Sequence, residues 1–246
     1  MPINSVLPFL STLVMFAFTA FVLQRYLVRR SPHFLFWGVG LAMFGAGSFA
    51  EAYLALAWNK WVFFVWYLFG AVLNAGWLGH GTVYLLFRRK WVHVLTAILA
   101  LGSIIALGLM LQIMPRLDAS PCANGCIISE HYRTIMPAVK DGATVRLTTP
   151  FFNIYGLITL VGGALWSAFL FWRKRVLPNR VIGNVLIAAG ALSIGFASTL
   201  TRLGYGSLLY LGELVAAILM FAGFLVAAAP QPDEKVTAPA TAPAGD

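Results

Sequence analysis

Residues 61–90 read WVFFVWYLFGAVLNAGWLGHGTVYLLFRRK, and this stretch decides the class of fold. From Trp61 to Phe87 no acid, lysine or arginine interrupts the run, and then Arg88, Arg89 and Lys90 follow directly. A helix of about 20 apolar residues crosses the hydrocarbon core of a bilayer. The run is long enough to do so, and its basic end marks where it emerges. Six further runs of that kind lie at 6–26, 34–57, 92–114, 150–172, 181–201 and 206–229. Arg25, Arg29 and Arg30 follow the first run, and Arg173, Lys174, Arg175 and Arg180 follow the run at 150–172. The connections between these basic turns carry far fewer basic residues near the membrane. By the positive-inside rule the three basic turns are cytoplasmic. The expected fold is an all-α integral membrane protein, a bundle of seven transmembrane helices over residues 1–229. Its N-terminus is outside, its C-terminus is cytoplasmic, and it crosses the cell membrane as a multi-pass protein.

With 60% hydrophobic and 10% charged residues, the 246-residue chain has little left for a soluble domain. The formal charge of +9 sits largely in short turns, where topology and anionic headgroups account for it. The lipid bilayer is thus the partner it implies, and a nucleic-acid role, which needs a continuous basic face, is excluded. Met1–Leu10 carries no basic residue, so the first run reads as a spanning helix rather than a cleavable signal. Residues 230–246, rich in Pro, Ala and Thr, read as a disordered cytoplasmic tail with no output domain. Trp58, Trp61, Trp66 and Tyr67 at one end, with Trp91 and Trp172 at the other, suit interfacial aromatic belts.

The one long connection, residues 115–149, is expected outside. It holds both cysteines, Cys122 and Cys126, across an Asn-Gly pair. That spacing predicts a turn closed by a disulfide if the compartment is oxidising. A metal site that adds His131 to the two thiolates is the alternative, and it lacks a visible fourth ligand. Covalent haem attachment fails because Ile127 stands where histidine is required. Val145-Arg146-Leu147-Thr148 alternates as a strand would, so a small hairpin is expected there.

A faint internal similarity links the first three runs to the last three. Pro8-Phe9 and Pro150-Phe151 open the two units, and Pro32 and Pro178 stand in their basic turns. Gly45-Ala46 and Gly190-Ala191 mark the second helices, and Tyr67 and Tyr210 begin the third. The expectation is a parallel 3+1+3 repeat with the fourth helix as linker, set against chance likeness in Gly- and Ala-rich helices. Small residues such as Gly38, Ala42, Gly45 and Gly70 would let helix backbones approach closely.

Ionisable groups inside a bilayer are costly and default to functional hypotheses. Glu51, late in the second helix, and Glu213, early in the seventh, fall at similar depth in the outer half, with Arg202 closing the sixth helix beside them. The functional reading is an outward-facing, aromatic-walled cavity with an acidic floor, extended inward by Asn74. The structural alternative is an interhelical ion pair between Arg202 and a carboxylate. His80 sits about 10 Å from the basic end of its helix, in the stripe Asn74, Trp77, His80, Tyr84. It is a candidate proton relay, or a packed histidine with satisfied hydrogen bonds. Haem would need a second deep, facing histidine, and His93 lies at the interface.

The seven-span, N-out topology resembles that of rhodopsins and sugar-conducting transporters, without a stretch that marks membership. A retinal protein would need a lysine in 206–229, and there is none. Nothing implies a catalytic group, a resident metal or a cofactor. The reading is a small-molecule or ion carrier with Glu51, Asn74, Arg202 and Glu213 at its site. The alternatives are a ligand or pH sensor signalling through a membrane-protein partner, and a structural subunit of a larger membrane complex.

Overall fold

A computed structural model describes residues 3–87, 89–206 and 208–229; the side chains of residues 3–5 and of Arg202 lie outside that description, as does the expected tail at 230–246. Among the described residues the regular structure is all helix, without strands. Among the described residues, seven spans are long and apolar enough to cross a membrane. They are α1 (Ile3–Arg29), α2 (Pro32–Leu54), a composite third span, α5 (Trp91–Ile113), α7 (Val145–Arg173), α8 (Pro178–Arg202) and α9 (Leu208–Ala228). The third span is α3 (Lys60–Val65), a π-helical segment (Trp66–Leu73) and α4 (Asn74–Leu86) in sequence.

Local chemistry sets the helix boundaries. Arg30 and Leu177 adopt left-handed backbone (φ 52° each) in the two turns, and Pro32 and Pro178 then begin α2 and α8. Proline suits a first helical position because the N–H it lacks would have no partner there. Asn59 caps α3, its side-chain oxygen accepting from the N–H groups of Trp61 (2.8 Å) and Val62 (3.3 Å).

Six spans close into a ring: α1 packs on α2, α2 on α4, α4 on α7, α7 on α8, α8 on α9, and α9 on α1. Backbones meet where glycine permits. A Cβ on Gly47 would stand 2.6 Å from the Cα of Gly70, and one on Gly79 would stand 2.8 Å from the Cα of Gly156. The fourth span, α5, lies outside this ring and touches α4, α7 and the π segment only lightly. It is the least buried span, and Lys60–Leu86 the most buried.

At one end the chain between α5 and α7 folds down as a cap. It holds α6 (Ile128–Ile135) between short 3-10 turns, not the expected hairpin. Val145–Thr148 is the first turn of α7, because two apolar positions in four fit a helical turn as well as a strand. Val145 is fully buried in the core that joins the cap to the bundle, with Ile128, Ile135, Met136, Leu54, Phe63 and Trp66. Cys122 and Cys126 form a disulfide, Cα to Cα 5.1 Å. Next to it Gly125 (φ +89°) lies so close to α2 that a Cβ would stand 2.7 Å from the carbonyl oxygen of Ala55. The N–H of Cys126 donates to the carbonyl of Leu54 at 3.0 Å. The opposite end carries Arg29, Arg89, Arg173 and Arg175; the two are called the capped and the basic end below.

Candidate functional site

Glu51 and Glu213 meet beneath the cap. They are 1% and 8% exposed, and their carboxyl groups are within hydrogen-bonding reach of one another. The α2 helix delivers two polar residues from one face, Ser48 and Glu51, three positions apart. Ser48 Oγ donates to Glu213 Oε2 at 3.3 Å. The indole N–H of Trp66 donates to Glu51 Oε1 at 2.7 Å. The second oxygen of Glu51, Oε2, is buried and accepts from no fixed N–H or hydroxyl donor among the described residues; the hydroxyl of Tyr210, fully buried one turn before Glu213, stands near Ser129 of the cap. No lysine or arginine among the described residues pairs with either acid. Arg202 ends α8, but the expected pairing of its side chain lies outside the described residues.

The cap roofs this pair. Ser129 Oγ donates to the carbonyl of Gly206 at 3.2 Å, just ahead of α9. The ring of Tyr132 lies 5.8 Å from that of Trp66 and 6.4 Å from that of Tyr67. Trp66 and Tyr67 are therefore core residues, 6% and 3% exposed, rather than members of an interfacial belt; Trp61, at 56%, keeps the belt position. Proximity to a helix end suggests the belt position but does not reveal a folded cap above it.

Asn74 is buried just past the π segment. No side-chain hydrogen bond joins it to Glu51 or Glu213 among the described residues. The amide that serves this level is Asn153 on α7, donating to the carbonyl of Ala71 at 3.0 Å. Within a π turn the regular i to i−4 ladder is interrupted, and such segments recur at functional sites. The sequence stripe did not reveal Asn153, whose role depends on that irregular backbone.

His80 is fully buried. Its Nδ1 lies 2.7 Å from the Tyr155 hydroxyl on α7 and its Nε2 2.8 Å from the Thr96 hydroxyl on α5. Both ring nitrogens are thus satisfied, as a packed histidine requires. Trp77, three residues earlier, donates its indole N–H to Ser103 of α5 at 3.2 Å. The polar stripe of α4 therefore faces the peripheral helix. Thr96 and Ser103, seven residues apart on α5, were the sequence signal for that contact.

A narrow cavity of about 50 Å³ lies nearer the basic end, between all six ring helices; Leu41, Thr82, Asn184 and Met220 are among its walls. It has room for a few water molecules. Met220 stands two turns along α9 from Glu213, so α9 faces both the carboxyl pair and this cavity.

In the cap, Cys122, Cys126 and His131 bring their potential ligand atoms within 4.8 Å of one another. The disulfide removes the thiolates that a metal would need, and the His131 ring nitrogen Nδ1 lies 3.0 Å from the carbonyl oxygen of Ile127. Asp118 accepts the N–H of Ser120, and this bond holds its carboxyl below the usual carboxylate range. No known protein family, curated protein or solved structure matches the chain.

Proposed function

We propose that this multi-pass membrane protein is a carrier for a small molecule or ion, coupled to protons through Glu51 and Glu213. The observation that supports it is the meeting of two carboxyl groups, one from α2 and one from α9, with the buried hydroxyl of Tyr210 close by. A structural ion pair would put a base against an acid. Two acids side by side instead bind a proton or a cation between them. Their helices flank α1 in a ring that also encloses the inner cavity, and relative movement of the two would join or seal those sites. On the positive-inside reading the capped end faces outside and the basic end the cytoplasm, in the cell membrane. The pair is then occluded from outside by the cap. The placement of α5 outside the ring accords with a 3+1+3 design in which it is the linker.

In proteoliposomes under an imposed pH gradient, the wild-type protein should accumulate one class of solute from a panel of amino acids, sugars and organic cations. Glu51→Gln and Glu213→Gln should each abolish the gradient dependence while keeping the melting temperature within a few degrees. No gradient-driven uptake by wild type, together with loss of a stoichiometric membrane partner in both variants, would move the protein to the assembly-subunit class. Ligand sensing through a partner has one observation in its favour: the ring of Tyr132 in the cap lies tilted against that of Trp66, and Trp66 holds Glu51. A ligand that shifts the cap would reach the carboxyl pair through a single side chain.

A further inference from the structure

From His80 an unbroken series of hydrogen bonds runs to the surface of the basic end. Thr96 Oγ1, 2.8 Å from His80 Nε2, lies 3.0 Å from the hydroxyl of Tyr84. That hydroxyl lies 3.1 Å from Nδ1 of His93, which is exposed in the first turn of α5. On the far side of the imidazole, Tyr155 continues the series at 2.7 Å. The need to satisfy a buried imidazole is met by Tyr155 and Thr96 alone; it gives no reason for Tyr84 and His93 to extend the chain to water. Every member carries both an exchangeable proton and a lone pair, which is what proton relay requires. Three helices, α4, α5 and α7, contribute, and α5 is otherwise only lightly attached to the bundle.

We infer that His93, Tyr84, Thr96 and His80 form a proton path between the basic-end surface and the interior of the bundle, with Tyr155 as its inner terminus. In the tautomer that carries its hydrogen on Nδ1, His80 donates to Tyr155 and leaves Nε2 free to accept. Water gives a proton to His93 Nε2, and Nδ1–H of that ring passes one to the Tyr84 oxygen. Tyr84 passes its own to Thr96. The Thr96 hydroxyl, which also lies 2.9 Å from the carbonyl of Val92, turns from that carbonyl to His80 Nε2 and delivers its proton there. Each intermediate gives one proton for the one it receives, so the net change is one proton moved from water to the imidazole. The groups facing His80 are Tyr84 from α4, Thr96 from α5, Tyr155 from α7 and the Phe36 ring from α2, at 4.9 Å. Among these described contacts no fixed charge stands against the ring to hold it in one state. The purpose of the path rests on the proton-coupled reading, to which it adds an entry from the cytoplasm. Its existence does not.

The test uses the full chain in lipid nanodiscs with ¹⁵N-labelled histidine, reading exchange of the His80 imidazole proton with water by NMR; His80→Gln assigns the signal. Wild type should exchange although the ring is fully buried. Tyr84→Phe and Thr96→Val should each slow the exchange by about tenfold or more, and Thr96→Ser, which keeps the hydroxyl, should restore it. Ser103→Ala removes a different α4–α5 hydrogen bond and should leave the rate unchanged. A wild-type ring that does not exchange, or equal slowing in Ser103→Ala, overturns the path. Should Thr96→Val fail to fold, Tyr84→Phe decides alone. None of these readouts needs a substrate, so a protein that moves no solute in liposomes yet shows this pattern would lose the carrier reading and keep the path.

Discussion

At the scale of single residues, the bond from Trp66 to Glu51 is where the buried acid is held. Removing a donor from a buried acceptor costs about 1–3 kcal/mol, more than most surface changes. Trp66→Phe keeps the ring against Phe63 and Tyr132 but removes the N–H. It should lower thermal stability in detergent by that amount, and Glu51→Gln should show strong coupling to it in a double-mutant cycle. Losses that merely add would show that the bond contributes nothing. Glu51 and Glu213 were legible in the sequence because acids are rare in apolar runs. Their partners were not. Ser48, Trp66 and Tyr210 are ordinary residues of membrane helices until three separate helices are brought together.

At the scale of elements, α4 and α7 illustrate how backbone contact replaces the hydrophobic effect inside a bilayer, where helix association rests on close packing and interhelical hydrogen bonds. Gly79 and Gly156 permit the contact, and His80 to Tyr155 bridges the same pair of helices. A Cβ on Gly79 would stand 3.0 Å from the carbonyl oxygen of Gly156. Gly79→Ala should therefore push the helices apart at a cost of about 1–3 kcal/mol, the usual range for overpacking. A melting series in detergent measures it, and an unchanged midpoint would place the contact outside the energetics of the bundle. Helix identity was readable throughout, since seven expected runs became seven spans. Their ends were less so. In the sequence Pro8 and Pro150 look like helix openings, yet α1 and α7 begin upstream at Ile3 and Val145 and carry those prolines inside. A proline in the first turns of a helix loses few backbone bonds, so it marks a boundary only loosely.

For the whole molecule, the deciding quantity is the distribution of charge between its two ends. If basic turns are cytoplasmic, the cap and its disulfide face an oxidising exterior, and the two inferences are tested together. In intact spheroplasts a membrane-impermeant maleimide should label Cys122 and Cys126 only after reduction. Labelling without reductant would refute the bond in the cell. Protection that persists after reduction until the membrane is opened would reverse the topology.

The sequence by itself determined that the chain is a seven-span helical membrane protein, which turns are basic, that two cysteines can pair, and that few ionisable groups stand inside. These follow from local quantities: the length of apolar runs, charge at their ends, and spacing along the chain. The tertiary structure alone decided that Glu51 faces Glu213, that the 115–149 connection is a helical cap rather than a hairpin, that α5 stands outside the ring, and that His80 connects through Thr96 and Tyr84 to His93. The reason is physical. The cap arises where a short apolar pattern fits a helical turn as well as a strand, and the rest depend on how one helix is placed and rotated against another. Between membrane helices that rotation is set by where small residues let backbones touch and by which buried polar groups find partners, quantities that exist only once the helices are packed.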